Sequence, residues 1–316
     1  MSTTQGALKI AVVGVGGVGG AFGARLAKAG HHVTFIARGE TLAALRTKGL
    51  ILESVDGDLH MTAVAATDDP STVGPVDVVL VCVKSTQIEA IAPTLRPLIG
   101  PNTAVVPLQN GVEASAQLAK VLGNEHVLEG LARLISEQVG PGHIKHSAVT
   151  PVAEFGVRQN TPADAPARKQ IEALAVAING AGMVAVTPER MDIAVWEKFL
   201  FIDPFGTVGA ATRSPMGVMR SVPETRALLT ACMSEILAIA VAAGVALDEG
   251  VLERTMERYD SLPPQSTASM QRDIMAGRRN EFELQTGSVV RMGRQFGVAT
   301  PAHDVLYAAL APIARV

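Results

Sequence analysis

Cysteine is nearly missing from this chain: only Cys82 and Cys232 occur in 316 residues. Two thiols build no disulfide framework, and such a chain suits a reducing cytoplasm. An excess of charge of one sign is also lacking. Lysine and arginine total 27 against 30 acidic residues, a formal net charge of −3, and no basic block stands out. That argues against nucleic acid or an anionic membrane surface as a partner. Long apolar runs are absent too. Residues 238–247 are apolar but only ten long, with Glu235 just before them, against the ~20 residues needed to span a bilayer. The opening apolar run is too rich in glycine for a secretory signal and has no basic flank before it. Histidine pairs occur at His31/His32 and His143/His146. The second pair lies in an alternating stretch, where positions three apart face opposite sides, and no cysteine or acidic neighbour completes a metal site. No metal is expected. Hydrophobic residues at 48%, charged ones at 18% and a mean hydropathy of +0.28 describe a compact soluble protein, long enough for two domains.

The most informative stretch is residues 8–23, LKIAVVGVGGVGGAFG. Gly14, Gly16 and Gly19 form G-x-G-x-x-G directly after a strand pattern (8–13) and directly before a helical one (21–29). The first glycine allows a tight turn, the second lets a pyrophosphate approach the backbone, and the third packs the helix on the strand. Val15, Gly17 and Val18 supply the backbone in between, and the helix start offers unpaired N–H groups to phosphates. The spacing therefore predicts a dinucleotide site. The next strand pattern, 32–37, ends at Arg38, where an NAD-type unit places an acidic residue for the ribose hydroxyl. A guanidinium there suits a 2′-phosphate, so the expected cofactor is NADP(H).

Strand and helix patterns then alternate. A helix is expected at 40–48, a hairpin across 50–65 turning at Asp56-Gly57, a strand at 77–83, a helix at 86–95 and a strand at 104–108. This predicts an α/β fold with a Rossmann-type, doubly wound sheet. Alternating residues from 127 to 157, with a Gly-Pro-Gly turn at 140–142, suggest antiparallel strands closing that sheet. A helix at 165–181 and a last strand at 183–186 follow. Beyond Pro188 strand signals vanish, and helices are expected at 188–201, 225–243, 247–259, 281–296 and 303–311. The expected division is a nucleotide-binding domain over 1–187 and an all-helical domain over 188–316, with substrate in the cleft between them.

Several residues are candidates for chemistry. Lys84 and Gln109-Asn110-Gly111 follow strands at the edge where parallel sheets bind ligands, although strand-end lysines are commonly solvated and Asn-Gly commonly forms turns. Lys198, in DIAVWEK beside Trp196, precedes an apolar helix face. Desolvation there would lower its pKa toward the range useful for proton transfer, yet a snorkelling lysine is the ordinary reading. The hydroxyls at 266–269 mark a helix start or bind a carboxylate. Glu281 alone reads as a surface or capping residue.

Taken in order, GVGGVG at 14–19, Arg38, Lys84, LQNG at 108–111, WEKF at 196–199, and SMQRDI at 269–274 with Glu281 resemble the ketopantoate reductase family over essentially the whole chain. The resemblance implies NADPH-dependent reduction of a 2-oxoacid to the 2-hydroxyacid by hydride transfer, as in pantothenate synthesis. It implies that Arg38 holds the 2′-phosphate, and that Lys84 and Asn110 contact the nicotinamide half and the reacting region. Lys198 would act as general acid, with Ser269 and Glu281 positioning substrate and Glu281 also steadying the lysine and lying against the cofactor. The family usually has asparagine four and eight residues after this lysine, where this chain has Ile202 and Gly206, and a further one where it has Met216. Asp203 is no substitute, being turned about 140° from Lys198 on a helix, and Pro204 is expected to interrupt that helix. A substrate less polar than ketopantoate is therefore expected. The alternatives are a different ketone within the same family, or an NADPH-sensing protein without catalysis, against which Lys198 and Glu281 both speak. The helical half offers a surface for a homodimer.

Overall fold

The structure is a computed structural model that describes residues 6–159 and 161–315. Its contacts separate two compact units, one comprising residues up to Gln109 with Glu113–Met191, the other Asn110–Val112 with Asp192–Val316.

In the first unit, five parallel strands make one sheet: β1 (Lys9–Val13), β2 (His32–Ile36), β5 (Ala65–Thr67), β6 (Val78–Val81) and β7 (Ala104–Pro107), in the order β5-β2-β1-β6-β7. Successive side chains on a strand point to opposite faces, and both faces here are apolar. Ile10 and Val12 enter one core with Phe35 and Leu80, while Ala11 and Val13 enter another with Val79 and Val105. Helices α1 (Gly17–Lys28) and α5 (Pro166–Gly180) bury Phe22, Leu26 and Leu174 in the first core. On the other side lie α3 (Ile88–Ile91) and α4 (Ala114–Leu122), with Ile88 and Leu118. This is the doubly wound arrangement. The order reverses at β1/β6, the switch point where open sheets of this kind take ligands.

Two local expectations fail for physical reasons. The helix at 86–95 is only the single turn α3 between 3-10 segments Ser85–Gln87 and Ala92–Leu98, because Pro93 and Pro97 lack amide donors. The strands at 127–157 do not close the first sheet. They form a hairpin, β8 (Glu129–Gly140) with β9 (His143–Gly156), within a second sheet. There β9 pairs in parallel with β3 (Leu50–Ser54) and β10 (Val184–Val186), and β3 pairs antiparallel with β4 (Leu59–Met61). The hairpin turning at Asp56-Gly57 is thus β3–β4, while Ala65 belongs to β5 in the other sheet. Helix α2 (Gly39–Thr47) completes this unit. The histidines of β9 do acquire acidic neighbours from across the sheet. His143 meets Glu53 at 2.8 Å, and buried His146 lies 3.8 Å from Asp56.

The second unit is helical: α6 (Met191–Thr212), α7 (Met216–Ser221), α8 (Pro223–Ala242), α9 (Val251–Ser261), α10 (Ser269–Met275), α11 (Thr286–Phe296) and α12 (Pro301–Ala314). α6 starts three residues after Pro188 and runs unbroken through Pro204 to Thr212. A proline inside a helix costs about 3 kcal/mol, which tertiary packing offsets here. Phe201 and Phe205 pack on Tyr259, whose hydroxyl donates to the Phe201 carbonyl at 2.6 Å. Buried Asp203 accepts hydrogen bonds from His303 (2.8 Å) and Thr207 (3.2 Å). α8 is long and apolar enough to cross a membrane by length and composition, the one such helix among the described residues. Its Leu229, Met233 and Ile236 nonetheless fill the core of this unit.

Candidate active site

The glycine loop between β1 and α1 has the shape a dinucleotide needs. Gly14 sits at φ +94°, and a Cβ there would lie 2.8 Å from the Val83 backbone nitrogen. A Cβ on Gly19 would come within 1.9 Å of the Gly14 carbonyl oxygen. At Gly16 a Cβ would meet nothing within 4 Å. So the first and third glycines are required by the protein's own packing, and the second faces open space. No side chain among the described residues caps the start of α1, which leaves its first N–H groups for an anion. Val15 is buried under the loop, Val18 packs on the core, and Gly17 lies against Ser136 of β8.

The neighbouring strands end at the same edge. Arg38 follows β2 at the start of α2, exposed, and its side chain has no hydrogen bond or ion pair among the described residues. Lys84 follows β6, one residue beyond Val83, which lies against Gly14. The amide of Gln109, after β7, donates to the carbonyls of Val81 (2.8 Å) and Val83 (3.0 Å), so this residue braces the edge. Cys82 is beneath the loop, and burial pushes its thiol up to about 12.

In the helical unit, Lys198 is 8% exposed on α6, beside Trp196 and Phe199, whose rings meet edge to face at 6.0 Å. Glu281 precedes the 3-10 turn Phe282–Leu284. Its Oε2 accepts from Asn110 Nδ2 and from Gln285 Nε2, both at 3.1 Å. Glu281 is therefore a held carboxylate rather than a loose surface charge. Gln285 was not singled out in the sequence, although its place four residues after Glu281 is the spacing at which helical side chains meet. Ser269 is the first residue of α10, following the N-cap position at Ala268. Its exposed hydroxyl caps nothing and makes no hydrogen bond among the described residues.

The positions where the family usually has asparagine behave differently from one another. Lys198, Ile202 and Gly206 share one face of α6, four residues apart on a continuous helix. Ile202 is half-buried and packs on the core. At Gly206 a Cβ would lie 2.9 Å from Met270 Cε, so α10 closes over this point. Met216 is fully buried in the helical core.

Residues 10–160 match the profile of ketopantoate reductase PanE/ApbA, and residues 190–314 match the profile of its C-terminal part. The 2-dehydropantoate 2-reductase of Mycobacterium tuberculosis (strain ATCC 25618 / H37Rv) is 31% identical over 305 residues, covering 96% of each chain. The chain belongs to the ketopantoate reductase family. As a member of that family it is an NAD(P)-dependent oxidoreductase acting on CH–OH groups. The PanE/ApbA family ketopantoate reductase from Ralstonia eutropha JMP134 superposes with a TM-score of 0.86 at 30% identity, covering 98% of this chain and 99% of that one. The same fold recurs in D-mandelate dehydrogenase, solved with NADH and anilino(oxo)acetate, at a TM-score of 0.87 and 20% identity, over 98% of this chain and 99% of that one. In this ketopantoate reductase relative, the nucleotide loop belongs to one unit and the lysine, Asn110, Ser269 and Glu281 to the other.

Proposed function

We propose that the protein reduces a 2-oxoacid with an apolar side chain to the 2-hydroxyacid, using NADPH, with Lys198 as general acid. The observation that carries this reading is the burial of Lys198 in the same unit as a carboxylate held by two amides. When bound, the reduced nicotinamide supplies the hydride. Carbonyl reduction leaves negative charge on oxygen, and an ammonium donor there both stabilises that charge and delivers the proton. Glu281 takes the role of a fixed anion that orients the lysine and substrate, with its own carboxylate oriented by Asn110 and Gln285. Ser269 offers a hydroxyl to the substrate carboxylate.

The glycine loop, from Gly14 through Val15, Gly16, Gly17 and Val18 to Gly19, carries the pyrophosphate, and Lys84 and Asn110 contact the nicotinamide half. Arg38 supports NADPH over NADH, because its exposed guanidinium has no partner among the described residues to give up before gripping a phosphate. The substrate preference follows from the helix face beyond Lys198. Ile202 and the Gly206–Met270 contact present carbon where amides would hydrogen-bond a hydroxyl. A site without such groups favours apolar substrates and discriminates weakly against those that add a hydroxyl.

NADPH oxidation across a panel of 2-oxoacids tests this. The expected result is higher kcat/KM for branched aliphatic or aryl 2-oxoacids than for ketopantoate. Efficient and selective turnover of ketopantoate would overturn the substrate preference, and no turnover of any 2-oxoacid would overturn the reaction.

A further inference from the structure

The helical unit has a concave feature that the residues assigned to the reaction do not line. A groove of about 450 Å³ lies at the C-terminal end of α6, lined by Arg213, Arg272 and Arg278 with Thr267, Gln271 and Met275 among its other walls. Arg213 follows the last residue of α6, and fifteen residues at 1.5 Å rise put it about 22 Å along the axis from Lys198. On α10, Gln271 and Met275 point away from Ser269, while Arg272 lies one turn on from it.

The groove is cationic and prearranged. Arg213 adopts φ +56°, and Ser214 N donates back to the Gly209 carbonyl at 3.3 Å, closing the helix in a Schellman turn. Glycine is the usual residue at this left-handed position, so an arginine there carries a backbone cost. The guanidinium of Arg213 has no hydrogen bond or ion pair among the described residues. One edge of the Arg272 guanidinium is pinned by the carbonyl (2.6 Å) and hydroxyl (3.1 Å) of Thr267, neither of which offsets its charge. Of the three arginines, Arg278 alone has an acidic partner among the described residues, Asp273 at 2.9 Å. Buried Gln271 joins the two walls, its amide donating to the Ser214 carbonyl at 2.9 Å.

We propose that this groove binds a phosphate-bearing small molecule, its phosphate held by Arg213 and Arg272 with Arg278 at the rim, and its apolar part resting on Met275. Guanidinium forks match phosphate oxygens in pairs, and a groove of this size accommodates a metabolite-sized ligand. None of the residues assigned above to the cofactor or to the substrate lines the groove.

Calorimetric titration of the NADP⁺-saturated protein with inorganic pyrophosphate tests it, since saturation removes the glycine loop from competition. The expected result is one site per chain, with affinity falling about tenfold in Arg213→Gly and again in Arg272→Ala. Arg213→Gly also relieves the left-handed backbone, so its melting temperature should equal or exceed that of the parent, which separates lost binding from lost folding. Absence of binding, or undiminished affinity in the double variant, overturns the proposal. A preference for a tetraglutamate peptide over pyrophosphate also overturns it, in favour of a protein partner.

Discussion

Asn110 and Glu281 stand 171 residues apart in the chain, and the Asn110 amide donates to the Glu281 carboxylate at 3.1 Å. The residues after β7 thereby join the helical unit, and they bring an amide that fixes one oxygen of the acid. Such pairs act as a unit. Asn110→Ala and Glu281→Gln should each lower kcat/KM, and the double variant should cost about 0.5–3 kcal/mol less than the sum of the singles. Steady-state kinetics of the four proteins measures this, and strict additivity would separate the two roles.

The three glycines of the nucleotide loop should fail in different ways. Gly16→Ala adds a methyl group where nothing lies within 4 Å, so the melting temperature should hold while cofactor affinity falls. Gly19→Ala places a Cβ within 1.9 Å of the Gly14 carbonyl oxygen and should lower the melting temperature itself. Thermal denaturation and cofactor titration of both variants check the contrast.

Arg38 should set the choice of cofactor. Removing a guanidinium that grips a phosphate costs about 1.5–3 kcal/mol, so Arg38→Ala should weaken NADPH at least about tenfold and leave NADH nearly unchanged. Fluorescence titration with both nucleotides reads the ratio.

Stability should fall on the alkaline side through His303. Burial alone would lower its pKa, but hydrogen bonds to Asp203 and Glu235, with their charges, outweigh burial and raise it from 6.5 to about 9. A raised folded-state value means that the stabilisation is complete below about pH 6.5 and is lost as pH rises through about 9. Glu235 works in the opposite sense. Burial opposes its ionisation, yet bonds from His303 and the backbone hold it below its ordinary value, so its contribution fades in acid. Urea midpoints should drop between about pH 6.5 and about pH 9.5 in the wild type, and His303→Gln should be less stable with that drop abolished.

What the sequence made legible was whatever local pattern decides. β1, the glycine loop and α1 follow from an apolar run, glycine spacing and a helix start, and each lies within a few residues of its expected place. The second sheet was hidden because β9 pairs with β3 across the chain, and alternation does not name a strand's partner. Pro204 misled because its neighbours are anchored by Tyr259 and His303, 58 and 100 residues away from their partners on α6. Position 216 carried a family expectation about substrate, while Met216 is a core residue. Lys198 had an ambiguous signature, since a snorkelling lysine and a buried one share the same apolar neighbours; only its 8% exposure separates them.

The central claim is that the Lys198 ammonium protonates the reacting carbonyl oxygen. Single-turnover NADPH oxidation by Lys198→Ala, with the best 2-oxoacid of the panel, tests it most directly. The account predicts a rate lower by about 10²–10⁴-fold with NADPH affinity unchanged. A rate within a few-fold of the wild type would contradict it.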